Sequence, residues 1–156
     1  MPIDNAHFRQ VMGHFASGVT VVTTLVRDTP YGLTVSSFTS LSLVPPLVAI
    51  CVDRSTAGHD AISSSGIYAV NILAQQQEHL SRQFASREAN KFASVGYVLS
   101  ENGLPLLEGA LATVECRLWA SYDGGDHTIF VGEVLAADCQ DATPLVYFRR
   151  GYRALR

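Results

Sequence analysis

Charge is what this chain has least of. Only 16% of its 156 residues are Asp, Glu, Lys or Arg, against ~25% in an ordinary soluble domain. A surface so short of charge points to a face hidden against another subunit, and a homodimer is expected. The eleven basic residues are scattered and the formal net charge is −3, so a nucleic-acid backbone finds no electrostatic footprint. No apolar run approaches the ~20 residues that span a bilayer, and no membrane association is expected. The N-terminus sets Asp4 before its first Arg and has no cleavable apolar core; a cytoplasmic location follows as the expectation. Cys51, Cys116 and Cys139 are odd in number and too far apart for a CxxC metal knuckle. Cys51 and Cys116 lie in apolar strand patterns and read as buried thiols acting as small hydrophobes. Also missing are Gly-x-Gly-x-x-Gly, a Walker loop, an HExxH helix and carboxylates paired at metal or glycosidase spacing. A Rossmann nucleotide site and a metal site are both unexpected.

What remains suits one domain over residues 1–156 with one core. Phe8, Val11, Met12 and Phe15 recur at helical spacing behind the candidate caps Asp4 and Asn5, so the chain opens with an amphipathic helix ended by Gly18. Val19–Val26 reads as a strand closed by a turn at Arg27–Pro30. Leu33–Ser40 and Leu47–Val52 read as two more, with Pro45-Pro46 forcing an extended link. Ser55 or Thr56 is positioned to cap a short helix through His59–Ser64. Ile67–Leu73 returns as a strand, and Leu80 and Phe84 mark a helix running to Ser86. Alternation from Ala112 to Tyr122 is that of a half-buried strand, and Asp123-Gly-Gly-Asp126 is a hairpin turn. His127–Cys139 pairs back, and Leu145–Arg149 is the last strand. Six or seven strands with two or three short helices make a mainly β fold, a barrel with helical covers.

One segment is chemically unusual. Between Asp28 and Asp53 no charged residue occurs, yet Thr34, Ser36, Ser37, Thr39, Ser40 and Ser42 place six hydroxyls within nine positions. A buried hydroxyl without a partner costs ~1–3 kcal/mol, so the cluster suits a flat, neutral, heteroatom-rich ligand such as a flavin ring. The other possibility is a Ser/Thr-rich edge strand whose hydroxyls bond their own sheet or water. The segment Gly32-Leu-Thr-Val-Ser-Ser-Phe-Thr-Ser40, followed by Pro45-Pro46, resembles the short-chain flavin reductases, the small components of two-component flavin monooxygenases. Gly125-Asp126-His127 and the C-terminal Tyr147…Gly151-Tyr152 resemble the same family. Two positions depart from it: Val44 stands where many relatives have an acid, and Gly58-His59 where a Thr-His pair is usual.

The resemblance implies the FMN-binding split β-barrel and an NAD(P)H:flavin oxidoreductase. Hydride would pass from NADH or NADPH to FMN or FAD, and a separate flavin-dependent monooxygenase would receive the reduced flavin. Such chemistry needs no protein nucleophile; the cofactor carries it, and the chain supplies placement and electrostatics. Thr34, Val35, Ser36, Ser37, Thr39 and Ser40 are expected along one edge of the flavin, with Cys51-Val52-Asp53 along the other. Ser55 or Thr56 would stand in for the missing Thr. Phe84-Ala85-Ser86-Arg87 and Lys91 are expected at the phosphate, with Asn71 and Gln75 near the ribityl chain; an exposed helix end with solvated charges is the competing view. His127 is expected to line the nicotinamide pocket as the catalytic residue, with Tyr147, Arg149 (or Arg150) and Tyr152 as nucleotide contacts. Against these stand a turn histidine in water and a solvated basic tail. A non-catalytic flavin carrier on the same barrel is the alternative function, and Gly125-Asp126-His127 is what separates the two.

Overall fold

The computed structural model describes residues 2–156. The Asp4 carboxylate accepts from the His7 N–H at 3.1 Å and so caps α1 (Asn5–Met12). The helix stops at Met12 with Gly13 as its C-cap, five residues before the expected Gly18. Ser17–Gly18 is instead a short strand, β1, whose partner lies near the other end of the chain. α1 buries no residue. Its apolar stripe of Phe8, Val11, Met12 and Phe15 is exposed, Phe15 by 76%.

Seven strands form one antiparallel sheet. In spatial order they are β3 (Thr29–Val35), β2 (Thr20–Val26), β6 (Ile67–Ile72), β9 (Ala112–Gly124), β10 (His127–Cys139), β5 (Pro46–Asp53) and β4 (Phe38–Leu43). The sheet curls over one core holding Leu33 and Val35 from β3 with Val48, Ile50 and Val52 from β5, so its two ends face each other without closing. That is the split barrel. The expected single strand Leu33–Ser40 is broken at Ser36-Ser37, where the chain crosses the opening between β3 and β4. There the Cys51 N–H donates to the Ser37 carbonyl at 3.2 Å.

β2 is buried on both faces. Val22 points into the barrel, while Val19 and Val21 face a second core with Leu73, Leu107, Leu145 and the Leu80 and Phe84 side chains of α3 (Glu78–Ala85). Gly32 of β3 allows this packing, since a Cβ there would lie 2.7 Å from the Phe84 ring. α2 (Ala57–Ser65) is capped by Thr56, whose hydroxyl accepts from the His59 N–H at 3.2 Å. It ends at Gly66, whose φ of 72° is left-handed and favours glycine.

Three further elements were not legible. β7 (Tyr97–Leu99) and β8 (Pro105–Leu107) form a small hairpin, and the tail past Arg149 is a strand, β12 (Gly151–Arg153), rather than a solvated end. It pairs with β11 (Val146–Phe148), which also holds β1. The buried Asn71 donates to the Val21 carbonyl and the Thr23 hydroxyl and accepts from the Leu107 N–H, clamping β8 to the barrel. Glu115 is buried, and Ser100 and Asn102 donate to its carboxylate.

Candidate functional site

A cleft of about 640 Å³ lies where the barrel is split. Ser36, Ser37, Phe38 and Thr39 line one side, Ala49 and Cys51 of β5 the floor, and Met12, Phe15, Tyr147 and Arg150 the far end. Its size and its mixed apolar and hydroxyl walls are those of a small-molecule site.

The hydroxyl cluster divides into two groups. Thr34 donates to the Ser81 carbonyl of α3 at 2.6 Å, Ser37 to the Cys51 carbonyl at 2.9 Å and Thr39 to the Ser40 carbonyl at 3.1 Å. Ser36 and Ser40 are exposed, and no side-chain bond to the described residues holds them. The expected burial of these groups is therefore corrected: β4 is an edge strand, and its hydroxyls stand open at the cleft and sheet margin. Val35 and Val52 are buried in the barrel core, so they offer only backbone to a ligand. Cys51 is corrected in the same way. Val48, Ile50 and Val52 take the inner face of β5 and leave Ala49, Cys51 and Asp53 on the outer one, so the Cys51 thiol is half exposed in the cleft rather than buried.

Strand register brings His127 to that outer face. His127 pairs with Asp53 and Ile129 with Cys51 across β5 and β10, and directly opposed residues share a face. Asp126 Oδ1 lies 2.7 Å from His127 Nδ1. Asp53 is held below the ordinary carboxylate range, first by the Ser55 N–H and hydroxyl and then by the nearby His127 and His59. Both hydroxyls proposed to replace the missing Thr are already engaged: Ser55 donates to Asp53 Oδ1 at 2.7 Å and Thr56 to the Asp53 carbonyl at 2.8 Å. Gly58 sits where a Cβ would meet Leu33 at 2.7 Å, and His59 reaches Thr128 through Nε2 at 2.8 Å. That departure from the family pattern serves the packing of α2 on β3.

The expected phosphate group is only partly open. Phe84 is wholly buried and Ser86 donates to the Gln83 carbonyl at 2.6 Å, while Ala85 and Arg87 are exposed. Lys91 reaches the Phe84 and Gly32 carbonyls at 3.1 and 3.4 Å, and partial burial lowers its pKa. It ties the end of α3 to β3. Gly32 beside Lys91, Thr34 beside Ser81 and Ser36 at the cleft thus form one line along β3. Asn71 is committed to β8 and has no free group for a ribityl chain, and Gln75 is exposed in a 3₁₀ turn (Gln75–Gln77).

At the C-terminus Tyr147 lines the cleft, but the Tyr152 hydroxyl is 2.6 Å from Ser81 Oγ and its ring lies under Arg82, so Tyr152 braces α3. Arg150 rather than Arg149 lines the main cleft. Sequence reasoning missed Arg9, Met12, Phe15 and Ser17, which line the cleft from the N-terminal end. The apolar stripe of α1 was the available signal.

The flavin reductase like domain model matches residues 12–156. The reductase subunit HsaB of a flavin-dependent monooxygenase from Rhodococcus jostii is 39% identical over 98% of this chain and 79% of its own length. The FMN reductase (NADH) SmoA of Agrobacterium fabrum is 42% identical over 90% of this chain and 80% of its own. Among solved structures, the NADH:FAD oxidoreductase SgcE6 of Streptomyces globisporus, in complex with NAD and FAD fragments, superposes with a TM-score of 0.95. It is 40% identical, over 98% of this chain and 93% of that one.

Proposed function

The chain belongs to the family of flavin reductase-like domains, and on that premise we propose how its cleft performs the family's reaction. It is an NAD(P)H-dependent flavin reductase that moves hydride from a nicotinamide to FMN or FAD and supplies reduced flavin to a separate monooxygenase. The observation that carries the proposal for the site is the cleft at the barrel's split, where Ser36 adds an exposed hydroxyl to apolar walls and Cys51 shares its face with His127. The residues fit a flavin: a flat, largely apolar ring needs the Ala49 and Phe38 surfaces, and its polar edge needs donors such as Ser36.

When bound, the isoalloxazine supplies a two-electron acceptor. The chain does the rest. Ser36 and the backbone of residues 35–40 would hold the polar edge, each bond contributing on the order of 1 kcal/mol net. Cys51 and Asp53 on the outer face of β5, with the backbone of Val52 between them, would hold the other side. Of the residues expected at the phosphate, Arg87 is exposed and would be free to meet it, while Ser86 and Lys91 are engaged with backbone carbonyls. Asp126 orients the His127 ring and leaves Nε2 for the nicotinamide carboxamide, fixing the approach on which transfer depends. Tyr147 and Phe15 exclude water from the far end.

The protein works as a single domain in the cytoplasm and as a homodimer. Exposed Phe8, Val11, Met12 and Phe15 on α1, with Leu41, Leu43 and Val44 at β4, support the dimer, since a lone protomer would leave them in water. The test is anaerobic mixing of protein, flavin and NADH or NADPH. Nucleotide oxidation matched by bleaching of the flavin is expected, and nucleotide that stays reduced overturns the proposal.

A further inference from the structure

Arg54, the first residue past β5, meets the chain around His127 at three points. Its backbone N–H donates to the Asp126 carbonyl at 3.0 Å and its Nε to the His127 carbonyl at 3.3 Å. Its Nη2 pairs with the Asp123 carboxylate. Asp123 lies on the β9 arm of the hairpin and His127 on the β10 arm, so one side chain spans both.

The turn needs a brace. β5 ends at Asp53, opposite His127, so Gly124, Gly125 and Asp126 project beyond its last ladder partner. Residues 123–126 are all exposed, and glycine gives up more conformational freedom on ordering than any other residue. The Asp126–His127 side-chain pair is exposed too. Exposed pairs contribute little, so this one cannot hold the backbone that carries it. Among the described residues, only Arg54 bonds the turn from outside the sheet ladder. The residue type suits the task, because a guanidinium presents its donors in a rigid planar fork. One edge takes a carbonyl while the other takes a carboxylate, where a lysine ammonium has a single head. Arg54 also stands on a fixed base: Ser55 and Thr56 bond the Asp53 carboxylate and carbonyl just before it.

We propose that Arg54 is a positioning residue for hydride transfer: it clasps the β9–β10 turn and so holds the His127 imidazole in place for the nicotinamide. The proposal rests on the flavin reductase function above and on the role given there to His127. Arg54 acts through that imidazole and makes no contact of its own with flavin or nucleotide. A loosened turn lets the ring wander, and small displacements of an orienting group cost rate steeply.

The test is a double-mutant cycle on the nucleotide KM, with wild type, Arg54→Ala, His127→Ala and the double variant. Arg54→Ala is expected to raise KM about fivefold while His127 is present. In the His127→Ala background the same change should have no further effect. Flavin affinity should stay within about twofold throughout, and Arg54→Lys should recover part of the loss. Should Arg54→Ala fail to fold, Asp123→Asn cuts the other end of the clasp at an exposed side chain. It should show the same dependence on His127 with a smaller effect. An equal loss with and without His127, or no loss in its presence, overturns the clasp and leaves the reductase function standing. A wild type that leaves NADH and NADPH reduced in the presence of flavin overturns the function itself and the clasp with it.

Discussion

His127 stands directly opposite Asp53 in the β5–β10 pair, one register step of two residues from Ile129 opposite Cys51. The backbone of His127 therefore lies about 7 Å along the same sheet face from that of Cys51, which floors the cleft, near enough for one substrate ring stacked over another to reach both. Replacing His127 with Ala should raise the nucleotide KM roughly tenfold, the loss of one hydrogen bond and its orientation. Flavin affinity, read by fluorescence titration, should stay within about twofold.

Ser36 and Thr34 separate binding from stability. Ser36 has an open hydroxyl, so Ser36→Ala should weaken flavin binding by about 1 kcal/mol and leave urea unfolding unchanged. Thr34 is bonded to the Ser81 carbonyl, so Thr34→Val should cost about 1 kcal/mol of stability and affect flavin less. The same titration and unfolding curves on both variants check the pair.

Alkaline pH should destabilise the barrel. Burial pushes the Cys116 thiol up to about 12 from an ordinary 9.0, and raises the Tyr68 phenol as well. A folded value above the unfolded one contributes stability below pH 9 that is lost as pH rises toward the folded value. Unfolding free energy measured from pH 8 upward should fall, and more gently in Cys116→Ala. Tyr68→Phe should cost little at neutral pH, because beside the buried Tyr68 hydroxyl stands only the Cys116 thiol, a weak hydrogen-bonding group.

The exposed apolar face should behave as an interface. Phe15→Asp or Leu43→Asp, at positions 76% and 91% exposed in the protomer, is expected to shift the protein to monomer in sedimentation, with folding of each chain intact. Wild-type protein that sediments as a monomer would remove the dimer.

The long hairpin β9–β10, the strand β5 and the second helix could be read because their patterns are local: alternation, a Gly-Gly turn, a capping Thr56. β7, β8 and β12 could not, since their pairing depends on distant anchors such as Asn71 holding the Leu107 N–H. The hydroxyl segment could be read as lying at a cleft, but which hydroxyls stay free was invisible. Thr34 looks no different from Ser36 until α3 supplies the Ser81 carbonyl. Lys91 and Tyr152 were likewise legible as polar groups near a site, and only packing shows them spent on helix and strand carbonyls or on Ser81. Arg9 was missed because a cation in a helix's last turn has an ordinary role there, and only folding brings it to the cleft.

Cys51 offers the most direct test of where the ring binds. Its thiol is half exposed on the cleft floor, whereas Cys139 is exposed elsewhere and Cys116 is buried. Alkylation followed by peptide mass spectrometry, with and without saturating flavin, should show Cys51 labelling slowed at least tenfold by flavin while Cys139 labelling is unaltered. Cys51 reacting at the same rate in both conditions, with flavin demonstrably bound, would place the flavin elsewhere and contradict the account.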